Sequence, residues 1–388
     1  MQIDSGKPLI ARWPNGHASD IPLLQTLKVN TVWLETPQPA FAAACQSAGI
    51  AVTEKLESVK GGLWPGIRSA GRRRSPDGEV SSASAEPWVD ANGYLVACER
   101  AIEKPALLAY GLGDAATRMV AFETLEIALA EAWMMGGNFA LLVEDRYLKA
   151  LRANDPKAVA AWAKLARTAA WLKQSAGLFG RPALPTITAL YDGRAPSREL
   201  ANLLFRRNAS PRIVASVPAV SAQTKALVAA SITPPANQSA ILAHAAAGAI
   251  VIVDADWWRV PEAKLLRDEE DRQFYTLGKG QVVAYRKRIA EPSEFALDVI
   301  DLVTHRQRPL RLWNAPAIIG VRSTNVLTLL NYGVSVPEDI QAQVLGHYSR
   351  ALLHAPGASP VALKVARRSA MSEVFVPKLE RACAIEFS

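Results

Sequence analysis

The chain has 388 residues, of which 50% are hydrophobic and 21% are charged, and its formal net charge is +8. This length and apolar fraction are ample for a large core, which excludes disorder as the main state. They suggest two domains, or one large barrel with an appended unit. No uninterrupted apolar run reaches about 18 residues, so we expect no membrane-spanning helix and no membrane partner.

The start of the sequence, MQIDSGKPLIARWPNG, has no basic segment followed by an apolar one, so we expect no signal peptide in this chain. A cytoplasmic protein and a secreted protein whose signal has been removed both fit, and the compartment stays open. Basic residues are spread along the chain, and the one dense run, 72–74, lies in a Gly/Ser/Pro-rich stretch. That stretch predicts a solvated or anion-facing surface loop, and we expect no nucleic-acid partner.

Three scattered cysteines and five isolated histidines give no metal-ligand spacing, so we expect neither a metal nor a cofactor. The segment 111–116, GLGDAA, matches the start of a dinucleotide fingerprint after an apolar run. The acid that would bind the ribose, Glu131, falls inside the following helical stretch rather than at a strand end, which disfavours that interpretation.

Short apolar runs alternate with helical stretches over the first 255 residues and predict eight strands. They are Leu9–Trp13, Thr31–Glu35, Ile50–Lys55, Ala106–Tyr110, Phe139–Glu144, Thr186–Tyr191, Arg212–Val217 and Ala249–Asp254. Near-continuous apolar runs are typical of parallel strands covered on both faces. Helices are predicted between them, including Ala222–Ser231, and the eighth is predicted at Glu262–Tyr275. This alternation favours an α/β fold, a (β/α)8 TIM barrel over residues 1–310.

After Asn314-Ala315-Pro316 the chain consists of short apolar runs separated by turn signals such as APGASP at 355–360. Runs at this spacing predict a small antiparallel β-sandwich over residues 311–388. Such a unit can pack rigidly on a barrel or support a homo-oligomer, and the oligomeric state stays open.

Two segments carry a family resemblance. The stretches RLWNAP at 311–316 and VLTLLNY at 326–332 resemble the sandwich that follows the barrel in β-galactosidase-like and dextranase-like proteins. The stretch LAEAW at 129–133, followed by Gly136-Gly137, is similar to the barrel helix that leads into the fifth strand of such proteins. The layout therefore resembles glycoside hydrolase-like proteins, and the resemblance implies a carbohydrate partner and acid–base chemistry by carboxylates.

The sequence departs from the commonest retaining clan of that group. Those enzymes carry Asn-Glu after the fourth strand and Glu after the seventh. Here the fourth strand leads into Gly111-Leu112-Gly113-Asp114 and the seventh into Ser216-Val217-Pro218. The missing carboxylates favour the alternative of an inactive saccharide-binding or assembly protein on the same scaffold.

Chemistry in a TIM barrel lies at the carboxyl ends of the strands, where this sequence places several acids. A glycosidase needs two carboxyl groups, one as proton donor and one as nucleophile or base. The predicted catalytic acids are Asp192, Glu144, Asp145 and Asp254. Glu144 and Asp145 have opposite parity on their strand, so only one of them can face the barrel mouth.

Aromatic rings and further acids at strand ends and in the long insertion after the third strand predict the sugar-binding positions. An indole packs well against the apolar face of a sugar ring, and loops on a rigid scaffold commonly carry function. The predicted substrate-binding residues are Trp33, Glu35, Glu54, Trp64, Glu86, Trp88, Trp257 and Trp258. The sequence therefore predicts a glycoside hydrolase acting on an oligo- or polysaccharide.

Overall fold

The structure is a computed structural model that describes residues 8–388 apart from 57–58, 69–72, 75–79, 82–87, 104–106, 112–120, 259, 287–288, 290–291 and 304–306. It is a mixed α/β structure with parallel and antiparallel sheets. Among the described residues, three larger β assemblies follow one another along the chain, and we call them sheet I, sheet II and the sandwich. No helix among the described residues is long and apolar enough to cross a membrane.

Sheet I has six parallel strands. In spatial order they are Ala51–Thr53 (β3), Thr31–Trp33 (β2), Ile10–Arg12 (β1), Asn138–Leu142 (β10), Leu107–Gly111 (β9) and Val59–Leu63 (β4). The two outermost strands, β3 and β4, are consecutive in the chain. Two short hairpins follow β4, one pairing Gly66–Arg68 (β5) with Trp88–Asp90 (β8) and one pairing Arg73–Arg74 (β6) with Val80–Ser81 (β7).

The helices of this part pack on one face of sheet I. They are Ile21–Leu27 (α1), Pro39–Ser47 (α2), Gly93–Ile102 (α3), Thr124–Met134 (α4), Asp145–Arg152 (α5) and Pro156–Gln174 (α6). Alternate strand residues such as Ala11, Val32 and Leu141 share their core. The residues between them, such as Ile10 and Ala140, form a small separate cluster with no helical member among the described residues. We call this second side the inner face.

Sheet II is a doubly wound sheet followed by a hairpin. In spatial order its strands are Arg212–Val214 (β12), Ile187–Leu190 (β11), Ala226–Ala229 (β13), Ile250–Asp254 (β14), Gly280–Tyr285 (β17), Arg272–Leu277 (β16) and Lys264–Asp268 (β15). The first five are parallel, and the last two are antiparallel, with a bulge in β15 between Leu265 and Arg267. Helices Ala195–Arg206 (α7), Gln238–Ala246 (α8) and Pro292–Leu302 (α9) contribute to cores on its two faces.

All eight predicted barrel strands form, but their pairing differs from that of a single eight-stranded ring. The first five belong to sheet I and the last three to sheet II, and the fifth strand pairs with the first rather than with the sixth. Apolar runs indicate that a segment is a strand without indicating its partner, because any parallel neighbour buries such a run equally well.

Two predicted helices are strands in the structure. Residues 222–231 contain β13, and residues 262–275 contain β15 and most of β16. The second segment carries enough charge to suggest a solvated helix, yet Phe274 is buried in sheet II under the Arg267 guanidinium, 3.9 Å from the ring centroid. Tertiary packing of this kind overrides local propensity.

The sandwich consists of two antiparallel sheets around a shared apolar core. One sheet contains Leu310–Trp313 (β18), Glu338–Leu345 (β21), Met371–Lys378 (β25) and Ala366–Arg368 (β24). The other contains Ile318–Arg322 (β19), Val326–Asn331 (β20), Ala382–Phe387 (β26), Ala351–His354 (β22) and Val361–Leu363 (β23). Leu330 and Tyr332 join the core on the helix side of sheet I, so the sandwich packs against α4.

Candidate functional site

The carboxyl edge of the inner face of sheet I gathers charged side chains around Arg12. Arg12 lies in register with Trp33 on one side and with Leu142 on the other. Ile10, Trp33 and Leu142 belong to the inner-face cluster, and alternation places Arg12 on the same face. Arg12 Nη1 lies 3.5 Å from Glu35 Oε2, and the Glu35 side chain is 51% exposed.

The second carboxylate at this edge is Glu144. Its backbone is extended, with φ −84° and ψ 146°, so it continues the alternation of β10. Val143 packs in the helix-side core, and Glu144 therefore follows Leu142 on the inner face. The side chain is partly buried. Asp145 begins α5, is exposed, and accepts a hydrogen bond from Asn15 Nδ2 at 3.2 Å.

Glu35 and Glu144 flank Arg12 symmetrically. Each follows by two residues the position that is in register with Arg12, and their strands lie on either side of β1. Strands separated by one intervening strand run about 9–10 Å apart. The inner-face edge therefore carries two carboxylates on opposite sides of one guanidinium, beside the Trp33 indole.

An ion pair between the buried Asp20 and the partly buried Arg152 lies just beyond the end of β1. Asp20, 1% exposed, accepts hydrogen bonds from Trp13 Nε1 at 2.9 Å and from Arg152 Nη2 at 2.6 Å. Burial disfavours the Asp20 carboxylate, but the hydrogen bonds from Arg152 and Trp13 outweigh it and lower the pKa. This network joins residues 132 positions apart in the chain, and no local sequence signal indicates it.

The remaining predicted sugar-binding residues near sheet I are more dispersed. Glu54 is exposed just beyond β3, while Trp64 follows β4 and packs against the helix-side core. Trp88 lies in β8, where its backbone pairs with Arg68. Glu86 lies outside the described residues, as does Asp114.

The other two predicted catalytic acids lie at the carboxyl edge of sheet II. Asp192 follows β11, next to the point where the strand order reverses, which is where doubly wound sheets commonly bind ligands. Its carboxylate accepts hydrogen bonds from Ser197 Oγ and Arg194 Nε, both at 2.6 Å, and from Thr233 N at 2.7 Å. Burial raises the pKa of Asp192, but the hydrogen bonds from Ser197, Thr233 and Arg194 exceed that effect and bring the pKa well below its ordinary value. A carboxylate held in this way is suited to fixing a turn and unsuited to donating a proton near neutral pH.

Asp254 ends β14 on the same edge. Burial, reinforced by the charge of Asp256, raises its pKa, although Ser231 N donates a hydrogen bond to it at 2.7 Å. Trp257 and Trp258 follow at once, and both indoles are buried in the core of sheet II, 8% and 1% exposed. Trp258 packs edge-on against Tyr275, with 4.6 Å between the ring centroids. The indoles of Trp257 and Trp258 therefore make the contacts of core side chains.

The structure therefore separates the predicted catalytic acids into two groups. Glu144 and Asp145 belong to sheet I, whereas Asp192 and Asp254 belong to sheet II. The carboxylate that the structure places at the same edge as Glu144 is Glu35, which sequence reasoning predicted as a substrate-binding residue. No group of three or more His, Cys, Asp or Glu side chains in the described ranges is arranged to hold a metal ion.

A further acid, Glu131, is buried behind the sheet rather than at its edge. Its carboxyl group accepts hydrogen bonds from Asn92 N at 2.5 Å, Gly93 N at 2.8 Å and Tyr332 Oη at 2.5 Å. Burial raises the pKa of Glu131 to about 7, against the opposing effect of these hydrogen bonds. It joins the start of α3 to the sandwich, whereas sequence reasoning considered it only as the ribose-binding acid of a dinucleotide site.

Comparison with known proteins agrees with a glycosidase-like fold. No protein-family profile matches the chain, and no curated protein matches it. An α-L-fucosidase isoenzyme 2 from Paenibacillus thiaminolyticus matches it with a TM-score of 0.59 and 9% identity, covering 98% of this chain and 100% of that one. At this identity the match shows the fold alone, and the chain has a glycosidase-like fold.

Two further matches are weaker. A catalytic mutant of Gan42B, a GH42 β-galactosidase from G. stearothermophilus, has a TM-score of 0.49 at 11% identity, covering 76% of this chain and 56% of that one. A rhamnosidase from Novosphingobium sp. PP1Y has a TM-score of 0.49 at 12% identity, covering 95% of this chain and 38% of that one.

Proposed function

We propose that this protein is a glycoside hydrolase acting on an oligo- or polysaccharide, with its site at the inner-face edge of sheet I. The observation that carries the proposal is the pair of glutamates, Glu35 and Glu144, on either side of Arg12. The glycosidase-like fold supports it, because that fold hosts sugar chemistry at the carboxyl ends of parallel strands.

The spacing of the two glutamates suits the inverting reaction. Inverting enzymes keep their carboxyl groups about 6.5–9.5 Å apart to admit a water molecule, whereas retaining enzymes need about 5–5.5 Å. Strands on either side of β1 run about 9–10 Å apart, which is close to the inverting range.

The surroundings of the two side chains support different roles for them. Glu35 has a cationic partner in Arg12, which suits the ionised group that activates water. Glu144 is partly buried, and no hydrogen bond or ion pair to its side chain is found within the described part of the chain, so its carboxyl group is open to contact with the leaving oxygen. Trp33, on the same face, would hold a sugar ring against its indole.

We further propose that sheet I is the counterpart of the glycosidase barrel in this chain. The helices of sheet I cover one of its faces only, in the same way that the helices of a TIM barrel cover only the outer face of the barrel sheet. A doubly wound sheet instead carries helices on both faces. We also propose that residues 311–388 form a second domain, the sandwich, which packs on the helix side of sheet I through Leu330 and Tyr332.

The test is hydrolysis of nitrophenyl glycosides and polysaccharides by the wild type and by four variants. Glu144→Gln and Glu35→Gln should each lower kcat at least about a hundredfold, because each removes a proton-transfer group. Asp145→Asn is the matched control, since Asp145 is adjacent, exposed and pointed elsewhere. Inversion should be visible by NMR of the released anomer. Activity that survives both glutamate variants but is lost in Asp254→Asn would move the site to sheet II.

A second candidate is a saccharide-binding or assembly protein without turnover. It is favoured by the absence from the sequence of the clan carboxylates after the fourth and seventh predicted strands. Saccharide binding measured by calorimetry, without hydrolysis of any substrate in the panel, would select this candidate.

A further inference from the structure

The outer face of one sheet of the sandwich exposes two aromatic rings in register. Leu310, Ile340 and Val374 point into the sandwich core, so the residues that alternate with them face outward. On that outer face Trp313 pairs with Gln341, and Gln341 pairs with Phe375. Trp313 is 41% exposed and Phe375 is 50% exposed, although such side chains usually bury most of their surface.

The next row of the same face is polar and firmly held. Gln343 lies between Arg311 and Glu373 in register. Glu373 Oε2 accepts hydrogen bonds from the side-chain amides of Gln341 and Gln343, both at 2.6 Å, and Arg368 Nε donates to Oε1 at 3.2 Å. The amide nitrogens are thereby oriented toward Glu373, which leaves the carbonyl ends of the two glutamines as fixed hydrogen-bond acceptors.

A basic pocket of about 370 Å³ begins at one end of this face. Its lining includes Trp313, Arg311, Arg308 and Arg207. It lies where α7 and α9 end against the first strand of the sandwich. No acidic residue lines it among the described residues, and Asp301 pairs with Arg308 from outside at 2.8 Å.

Arg308 has an unused hydrogen-bond donor in this pocket. Its Nε is buried and has no hydrogen-bond partner among the described residues. Burial, together with the charge of Arg311, lowers the pKa of Arg308. An anion placed between these guanidinium groups would relieve the repulsion and accept hydrogen bonds in the planar geometry that arginine favours.

We propose that this face and its pocket form a binding site for an acidic saccharide, whose rings stack on Trp313 and Phe375 while a carboxylate or sulfate group enters among the arginines. The two aromatic positions lie about 9–10 Å apart, since one strand separates theirs, and one oligosaccharide can span that distance. Stacking on exposed rings, combined with sugar hydroxyl groups that donate hydrogen bonds to a fixed row of acceptors, is the chemistry that holds sugars. The site is separate from the Glu35–Glu144 edge and does not depend on hydrolysis there.

The test is binding of the full-length protein to polygalacturonate, dextran sulfate and neutral dextran, measured by affinity electrophoresis and calorimetry. At least one acidic polymer should bind more tightly than neutral dextran, and its affinity should fall as salt is added. Preference for polygalacturonate indicates a carboxylate ligand, and preference for dextran sulfate a sulfated one. Equal binding of neutral and acidic polymers, or no binding, would overturn the proposal.

Variants locate the site. Trp313→Ala and Phe375→Ala should each weaken binding about tenfold, the effect of losing one aromatic contact. Arg311→Gln should abolish the preference for the acidic polymer. Val361→Ala, an exposed change on the other sheet, is the control and should have no effect. Thermal unfolding of each variant separates lost binding from lost folding.

Two further results keep the proposals distinguishable. Glu144→Gln should leave acidic-polymer binding unchanged even where it abolishes hydrolysis. If sedimentation shows that the wild type self-associates and Trp313→Ala is monomeric, without any saccharide binding, the face is an interface between copies of the chain and the saccharide site is refuted.

Discussion

Replacing Glu131 by Gln should flatten the dependence of stability on pH. The Glu131 side chain is 1% exposed, and burial raises its pKa to about 7. Gln keeps an oxygen that can accept the hydrogen bonds from Asn92 and Gly93 and has no proton to lose. The variant therefore isolates the effect of ionisation from the effect of losing the contacts.

The magnitude follows from linkage. The folded-state pKa is raised, so the contribution of Glu131 is complete below the unfolded-state value near 4.5 and is lost as pH rises toward 7. Over that window the unfolded chain releases a proton that the native state retains. The native state should lose about 3 kcal/mol from this one group between pH 4.5 and pH 8.

The assay is urea unfolding of the wild type and Glu131→Gln at pH 5 and pH 8. The free energy of unfolding should fall with pH by about 2–3 kcal/mol less in the variant. Glu103→Gln, an exposed control, should follow the wild type. Tyr332→Phe removes a hydrogen bond that favours ionisation, so its pH-dependent loss should extend to higher pH. Identical pH dependence in the wild type and Glu131→Gln would refute the reasoning.

Three further outcomes are expected. Arg152→Met should lower the free energy of unfolding by about 3 kcal/mol, measured by urea unfolding, because it leaves the buried Asp20 carboxylate without its cation; an effect within 0.5 kcal/mol would contradict the buried pair. Asp192→Asn should destabilise at pH 7 and progressively less as pH falls below about 4, because a lowered pKa stabilises only the ionised protein; a constant difference across pH would argue against it. Arg12→Gln should impair hydrolysis more than it impairs saccharide binding if Glu35 acts as the base, and a change in KM alone would instead assign Arg12 to substrate binding.

Sequence reasoning located the eight predicted barrel strands because apolar runs mark them directly, but it assigned the segments of β13, β15 and most of β16 to helices. It could not pair them: strands of similar composition, such as Phe139–Glu144 and Thr186–Tyr191, joined different sheets. Pairing is a long-range property, and an apolar run is compatible with any parallel neighbour. The hydrophobic periodicity of the sequence therefore could not predict that the strands divide into sheet I and sheet II.

The candidate site was predictable in part. The edge position of Glu144 followed from the strand end, and parity reduced the choice to Glu144 or Asp145. Selecting Glu144 required the backbone angles at the start of α5. The pairing of Arg12 with Glu35 joins residues 23 positions apart, and no spacing rule anticipates it.

The edge strand of sheet II, β15, has two features that disfavour pairing with another chain. Strand β15 is exposed along its whole length and displays Leu265 and Leu266, a combination that could template pairing with another chain. The bulge between Leu265 and Arg267 breaks the regular ladder, and Lys264, Arg267 and Asp268 place charges along the strand. Both devices disfavour pairing of this edge with a strand of another chain.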